Sequence, residues 1–125
     1  MKTIILDTNF LTIPYQFGVD IFEEIGKVIT GNYELITLEG VVKELGQMSQ
    51  EKGKDSVAAK IGLELIKKKG VKVVKTQEKN VDDAILELAS EQTLVATNDK
   101  KLIKSLKHKN VKVLYLRSKN RLVLE

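Results

Sequence analysis

No cysteine occurs among the 125 residues, which excludes a disulfide framework and a thiolate zinc site and suits a reducing compartment. Proline occurs once, at Pro14, and no linker or low-complexity stretch divides the chain, so a single domain over residues 1–125 is expected. No apolar run approaches the ~20 residues that cross a bilayer, and no basic-then-apolar signal segment opens the chain. A cytoplasmic protein without a membrane partner is therefore expected. Histidine also occurs once: His108 lies in a lysine-rich block with no triad partner in view, and Ser49, Ser56, Ser90, Ser105 and Ser118 lack a nucleophile-elbow context. Neither GxxxxGKS/T nor GxGxxG is present, which removes the P-loop and the dinucleotide fingerprint. The three tyrosines, Tyr15, Tyr33 and Tyr115, are too scattered to form a base-stacking platform.

What the chain does hold is an ordinary globular balance, 42% apolar and 30% charged, with its charge unevenly spread. Residues 1–97 carry 12 Lys/Arg against 15 Asp/Glu, whereas residues 98–121 carry nine Lys/Arg against Asp99 alone. The basic set comprises Lys100, Lys101, Lys104, Lys107, Lys109, Lys112, Arg117, Lys119 and Arg121. A basic block beside a slightly acidic body points to a polyanion such as nucleic acid, although a lysine-rich solvated surface has the same composition.

Short apolar runs alternate with helical periodicity. Thr3–Asp7, Tyr33–Thr37, Val71–Lys75, Leu94–Thr97 and Val111–Leu116 read as strands covered on both faces. Between them, Val19–Ile29, Glu39–Met48, Ser56–Lys68, Val81–Ser90 and Asp99–Lys107 read as amphipathic helices, with Asp55 and Asn80 as caps and Gly70 as a stop. Arg121–Leu124 has the composition of an added edge strand. This order predicts an α/β fold: one three-layer α/β/α domain around a mainly parallel sheet.

In such sheets ligands bind beyond the carboxyl ends of the strands, and acids collect there. Asp7 ends the first strand in "ILDTN"; Asp99 follows the fourth in "LVATND"; Asp82 and Asp83 open the helix leading to that strand; Glu44 lies on the helix after the second. Each is also explained singly as a helix cap, a dipole partner or a surface charge. Together they would repel one another unless a cation neutralised them, and hard carboxylate oxygens suit Mg2+ or Mn2+. A receiver-type phosphotransfer domain would want an acid after the third strand, where "VKVVKTQ" has none, and Thr8-Asn9 after Asp7 breaks the DxDxT phosphatase pattern.

"ILDTN", "VVKEL", "VDDAILELA" and "LVATNDKKL", in this order and spacing, resemble the four signature segments of PIN domains, a family of metal-dependent nucleases. With its compact size and "LRSKN" tail the chain looks most like archaeal PIN proteins related to small-subunit ribosomal RNA-processing endonucleases; the VapC toxins of toxin–antitoxin pairs share the signature. The resemblance implies catalytic and metal-binding roles for Asp7, Glu44, Asp83 and Asp99, with Asp82 as an acidic neighbour able to share the third position. Thr8, Asn9, Thr97 and Asn98 match its supporting polar positions. It further implies Mg2+- or Mn2+-dependent hydrolysis of RNA, leaving 5′-phosphate and 3′-hydroxyl ends, in ribosomal RNA processing or as a toxin. The expected partners are single-stranded or looped RNA, a second copy in a homodimer, and an antitoxin or ribosome-processing protein. Lys100, Lys101, Lys104, Lys107, Arg117 and Arg121 would contact the RNA backbone. The competing expectation is a catalytically weak PIN-fold scaffold that binds RNA.

Overall fold

The computed structural model describes residues 1–77, 80–118 and 120–125. In chain order the elements are β1 (Lys2–Leu6), α1 (Thr8–Leu11), α2 (Ile13–Phe17), α3 (Ile21–Val28), β2 (Tyr33–Leu38), α4 (Glu39–Ser49) and α5 (Lys54–Lys68). They continue with β3 (Lys72–Val74), α6 (Val81–Leu88), β4 (Thr93–Ala96), α7 (Lys100–His108), β5 (Lys112–Ser118) and β6 (Arg121–Leu124). The expected strands and helices are present within a few residues of their expected bounds. The short helices α1 and α2 were not foreseen, and helix α3 starts at Ile21, not Val19, because the Asp20 carboxylate caps it by accepting from the Phe22 and Glu23 amides. Gly53, not Asp55, precedes α5, and Asp55 falls in its first turn.

The sheet runs β3-β2-β1-β4-β5-β6, parallel except for β6, which pairs antiparallel with β5. Helices flank it in a three-layer α/β/α arrangement. β1 is central, and Ile4, Ile5 and Leu6 are fully buried, as expected for a strand covered on both faces. The chain moves from β1 outward to β2 and β3, then returns to the other side of β1 for β4, so the strand order reverses between β1 and β4. That reversal opens a crevice at their carboxyl ends.

Two contacts fix this end of the sheet. The buried Thr37 hydroxyl donates to the Leu6 carbonyl at 2.7 Å, closing β1 against β2 where the chain turns into α1. Helix α5 meets the far end of α1 at Gly62, where a Cβ would lie 2.9 Å from the Leu11 carbonyl oxygen. Nothing but glycine fits there without moving α1. Gly62→Ala is therefore expected to destabilise the protein by about 1–3 kcal/mol, the usual range for overpacking, read as a lowered thermal midpoint.

Candidate active site

Asp7 begins where the β1 ladder ends: its amide still donates to the Ala96 carbonyl of β4 at 3.0 Å, and its extended backbone then turns into α1. The side chain is only 4% exposed. Oδ1 accepts from the Thr8 amide at 2.8 Å; Oδ2 accepts from the Thr97 hydroxyl at 2.6 Å and, at 3.4 Å, from the Asn9 side-chain Nδ2. Asp7 is thus a helix cap and a cleft residue at once.

The polar neighbours are tied to one another. The Asn98 amide donates to Asn9 Oδ1 at 2.9 Å, and Asn98 Oδ1 in turn accepts from the Leu116 amide at 2.8 Å, where β4 has run out and cannot serve β5. The Asp99 amide donates to Thr97 Oγ1 at 3.1 Å. Asp99 Oδ1 caps α7 by accepting from the Lys101 and Leu102 amides, leaving its other oxygen outside the cap. Thr97 therefore bridges the two acids, holding Asp7 Oδ2 on one side and the Asp99 backbone on the other.

Glu44 on α4, Asp82 in the first turn of α6 and Asp99 join Asp7 around a cleft of about 450 Å³. Asp83 does not line it. It is exposed, and its amide donates to the Asn80 cap at 3.2 Å. The reason is helix geometry: successive residues on a helix point about 100° apart, and burying Ala84 and Ile85 leaves Asp83 opposite the core while Asp82 stands at its margin. Three further polar residues, Thr12, Gln16 and Asp55, also line the cleft and were not foreseen. Thr12 and Gln16 sit on the α1–α2 pair, whose four- and five-residue helices are too short to carry a readable period. Asp55 was hidden because aspartate is the stronger cap former, whereas Gly53 takes the cap position with a φ of 102° that favours glycine.

The electrostatics match a set of uncompensated anions. Burial pushes the Asp7 carboxyl up to about 6; the bonds from Thr97 and Thr8 oppose this, and the charges of Asp82 and Glu44 add to it. Asp82 is also raised, by burial first and then by Asp99, Glu44 and Asp83, with Lys101 pulling the other way. Among the described residues no ion pair involves Asp7, Glu44, Asp82 or Asp99; Lys43, the nearest lysine in sequence to Glu44, pairs with Glu39 instead. The buried Thr8 hydroxyl oxygen has no hydrogen-bond partner among the described residues. No three of the described acids are gathered closely enough to hold an ion as they stand, as expected of like charges without a counter-ion. The donor set is entirely oxygen and anionic, which fits Mg2+ or Mn2+ and not a soft metal.

Beside the cleft, α7 carries the basic residues. Lys100, Lys104 and Lys107, with Ile103 and His108, border a shallow groove of about 400 Å³; Lys101 does not line it, and its charge opposes the rise at Asp82. Arg117 lies exposed near the end of β5 and Arg121 exposed at the start of β6, opposite Ser118. Lys119 of the basic block lies outside the described residues.

A family model described as a PIN like domain matches residues 4–119. The chain belongs to the PIN domain family. Among curated relatives, Ribonuclease VapC4 of Methanocaldococcus jannaschii is 33% identical over 124 residues, covering 95% of this chain and 93% of that protein. Ribonuclease VapC9 of Archaeoglobus fulgidus is 27% identical over 127 residues, covering 100% and 90%. The solved structure of the PIN domain endonuclease Utp24 superposes with a TM-score of 0.81 over 98% of this chain and 90% of that one; at 23% identity this establishes the shared fold. The strand reversal beside Asp7 is thus the PIN-fold crevice, and no described helix of this PIN domain is long and apolar enough to cross a membrane.

Proposed function

We propose that this PIN domain is an endoribonuclease that hydrolyses RNA phosphodiester bonds with Mg2+ or Mn2+ held by Asp7, Glu44, Asp82 and Asp99. The observation that carries the reading is the set of carboxylates around one cleft, Asp7, Glu44, Asp82 and Asp99 with Asp55 at the same lining, none in an ion pair among the described residues, with Asp7 buried and raised. The 33% identity to a ribonuclease over nearly the full length supports the substrate class. When bound, the divalent ion supplies Lewis-acid activation of water and charge neutralisation at the scissile phosphate.

The chain's own residues do the rest. Thr97 and the Thr8 amide fix one rotamer of Asp7, and Asn9 with Asn98 locks the β4–α7 turn that carries Asp99. Lys100, Lys104 and Lys107 place positive charge along the face of α7 that leads away from Asp99, which positions a sugar–phosphate backbone without reading its bases. In keeping with the family resemblance, water attacks phosphorus as the bond to the 3′-oxygen breaks, leaving 5′-phosphate and 3′-hydroxyl ends. Single-stranded or looped RNA suits a single exposed helix face better than a duplex does. The stronger identity to VapC ribonucleases favours a toxin-type role with an antitoxin partner over ribosomal RNA processing, and a homodimer in the cytoplasm accompanies it.

The test is thermal unfolding with added Mn2+. The metal-free protein should melt higher as Mn2+ is added, by mass action on the folded state, and Asp99→Asn should lose most of that gain. An unchanged midpoint in the wild type would favour the RNA-binding scaffold.

A further inference from the structure

Beyond the cleft, three donors converge on one carboxylate. Lys107 Nζ lies 3.2 Å from Glu125 Oε1; Arg117 Nη2 lies 2.5 Å from Oε2, and the Tyr115 hydroxyl donates to the same oxygen. Arg117 Nη2 also donates to the Tyr115 hydroxyl at 2.9 Å, with the guanidinium 5.8 Å from that ring's centroid. The cluster is held in place from below: the Glu125 amide and carbonyl both pair with Val113, at 2.9 and 2.8 Å, and Tyr115 pairs with Val123 across the β5–β6 ladder. Glu125 is the only acid in residues 100–125, and it sits where two cations of the basic block meet a hydroxyl donor.

An arginine fork, an ammonium and a hydroxyl around one anion are the donors a phosphate takes. The cluster also lies on the path the α7 lysines mark out. Lys100, beside the cleft, and Lys107 are separated by seven residues of helix, about 10 Å at 1.5 Å per residue. Among the described ion pairs, Lys107 is the only one of Lys100, Lys104 and Lys107 that has a carboxylate partner.

We propose that Lys107, Tyr115 and Arg117 form a phosphate subsite for the RNA strand leading into the cleft, and that the Glu125 side chain occupies it until a phosphate displaces it. The exchange is one anion for another: contacts from Arg117, Lys107 and Tyr115 to the carboxylate break and reform to a phosphodiester, with no covalent change. Glu125 then acts as a built-in competitor that weakens loose binding of short or misplaced RNA. This inference rests on the ribonuclease reading, because it takes RNA as the ligand.

The experiment is fluorescence anisotropy of a labelled single-stranded RNA oligomer with EDTA present, so that binding is read without cleavage. Glu125→Gln keeps the side chain's shape and removes its charge. It should tighten binding about two- to fivefold at low salt, the scale of an exposed ion pair, and steepen the dependence of log K on log salt by about 0.7, one further phosphate contact on a single strand. Glu91→Gln, an exposed acid before β4, should leave that slope unchanged, and the gain from Glu125→Gln should vanish in an Arg117→Ala background. An equal gain from Glu91→Gln, or a gain that survives Arg117→Ala, would show general charge reduction and overturn the subsite. Wild-type binding with no effect of Glu125→Gln would overturn the subsite while leaving the ribonuclease reading standing. A wild type that neither binds RNA nor cleaves it with Mn2+ would overturn both.

Discussion

Asp7→Asn is expected to lower RNA cleavage by about 100- to 10,000-fold, the several kcal/mol that ion stabilisation contributes to phosphoryl chemistry, while raising the melting temperature of the metal-free protein. The second half separates a site residue from a structural one. The folded-state pKa of Asp7 is raised from 3.8 to about 6, so the folded protein disfavours the charged form. At pH 7 that penalty is fully present, about 3 kcal/mol by linkage; it shrinks as pH falls through 6 and is gone below about 4, where the group is protonated folded or unfolded. Asparagine removes the charge but gives up part of the bonds from Thr8 and Thr97, so the net gain at pH 7 is about 1–3 kcal/mol. The metal-free wild type should accordingly become more stable between pH 7 and pH 5, with Asp82 contributing in the same direction, and Asp7→Asn should flatten that rise. Thermal melts across this range, with EDTA, read it directly. If Asp7 served only as the cap of α1, the variant would lose stability at every pH.

The second large effect distinguishes adjacent aspartates. Asp82→Asn is expected to reduce cleavage by about 10- to 1,000-fold, as loss of one ionic ligand or of its field at the metal would. Asp83→Asn should stay within about threefold of wild type and cost at most about 1 kcal/mol, the loss of an acid from a helix first turn. Steady-state cleavage of one labelled RNA by the two variants decides the matter. The opposite ranking would mean that α6 presents its other face to the cleft when RNA is bound.

That pair marks the limit of what could be read in the sequence. The resemblance to PIN domains aligned the third acid with Asp83 and left Asp82 as a neighbour, because a motif aligns positions and not side-chain directions. The period of Val81, Ala84, Ile85 and Leu88 does show that Asp83 stands opposite the buried face. The strands were plain because the inner parts of β1, β2, β4 and β5 are buried and read as short, largely apolar runs, TIIL, LITL, TLVA and VLYL. Helices α3 to α7 were plain because each spans two turns or more, with Asp20, Asn80 and Asp99 capping three of them. Helices α1 and α2 were hidden by their brevity, and with them the contributions of Thr12 and Gln16. The grip of Thr97 on Asp7 joins residues 90 positions apart; only the parallel pairing of β1 with β4 brings them together, and no local pattern reports it. The antiparallel direction of β6, and with it the placing of Glu125 among Lys107, Tyr115 and Arg117, follows from tertiary packing in the same way.

The most direct measurement is cleavage of a labelled single-stranded RNA by the wild-type protein with Mn2+ and with excess EDTA, the fragment ends being identified chemically. Internal cuts with Mn2+ that leave 5′-phosphate and 3′-hydroxyl ends, and no cuts with EDTA, are the result expected if Asp7, Glu44, Asp82 and Asp99 hold the metal in one cleft. No cleavage in either condition, or cleavage that EDTA leaves unchanged, would contradict that account.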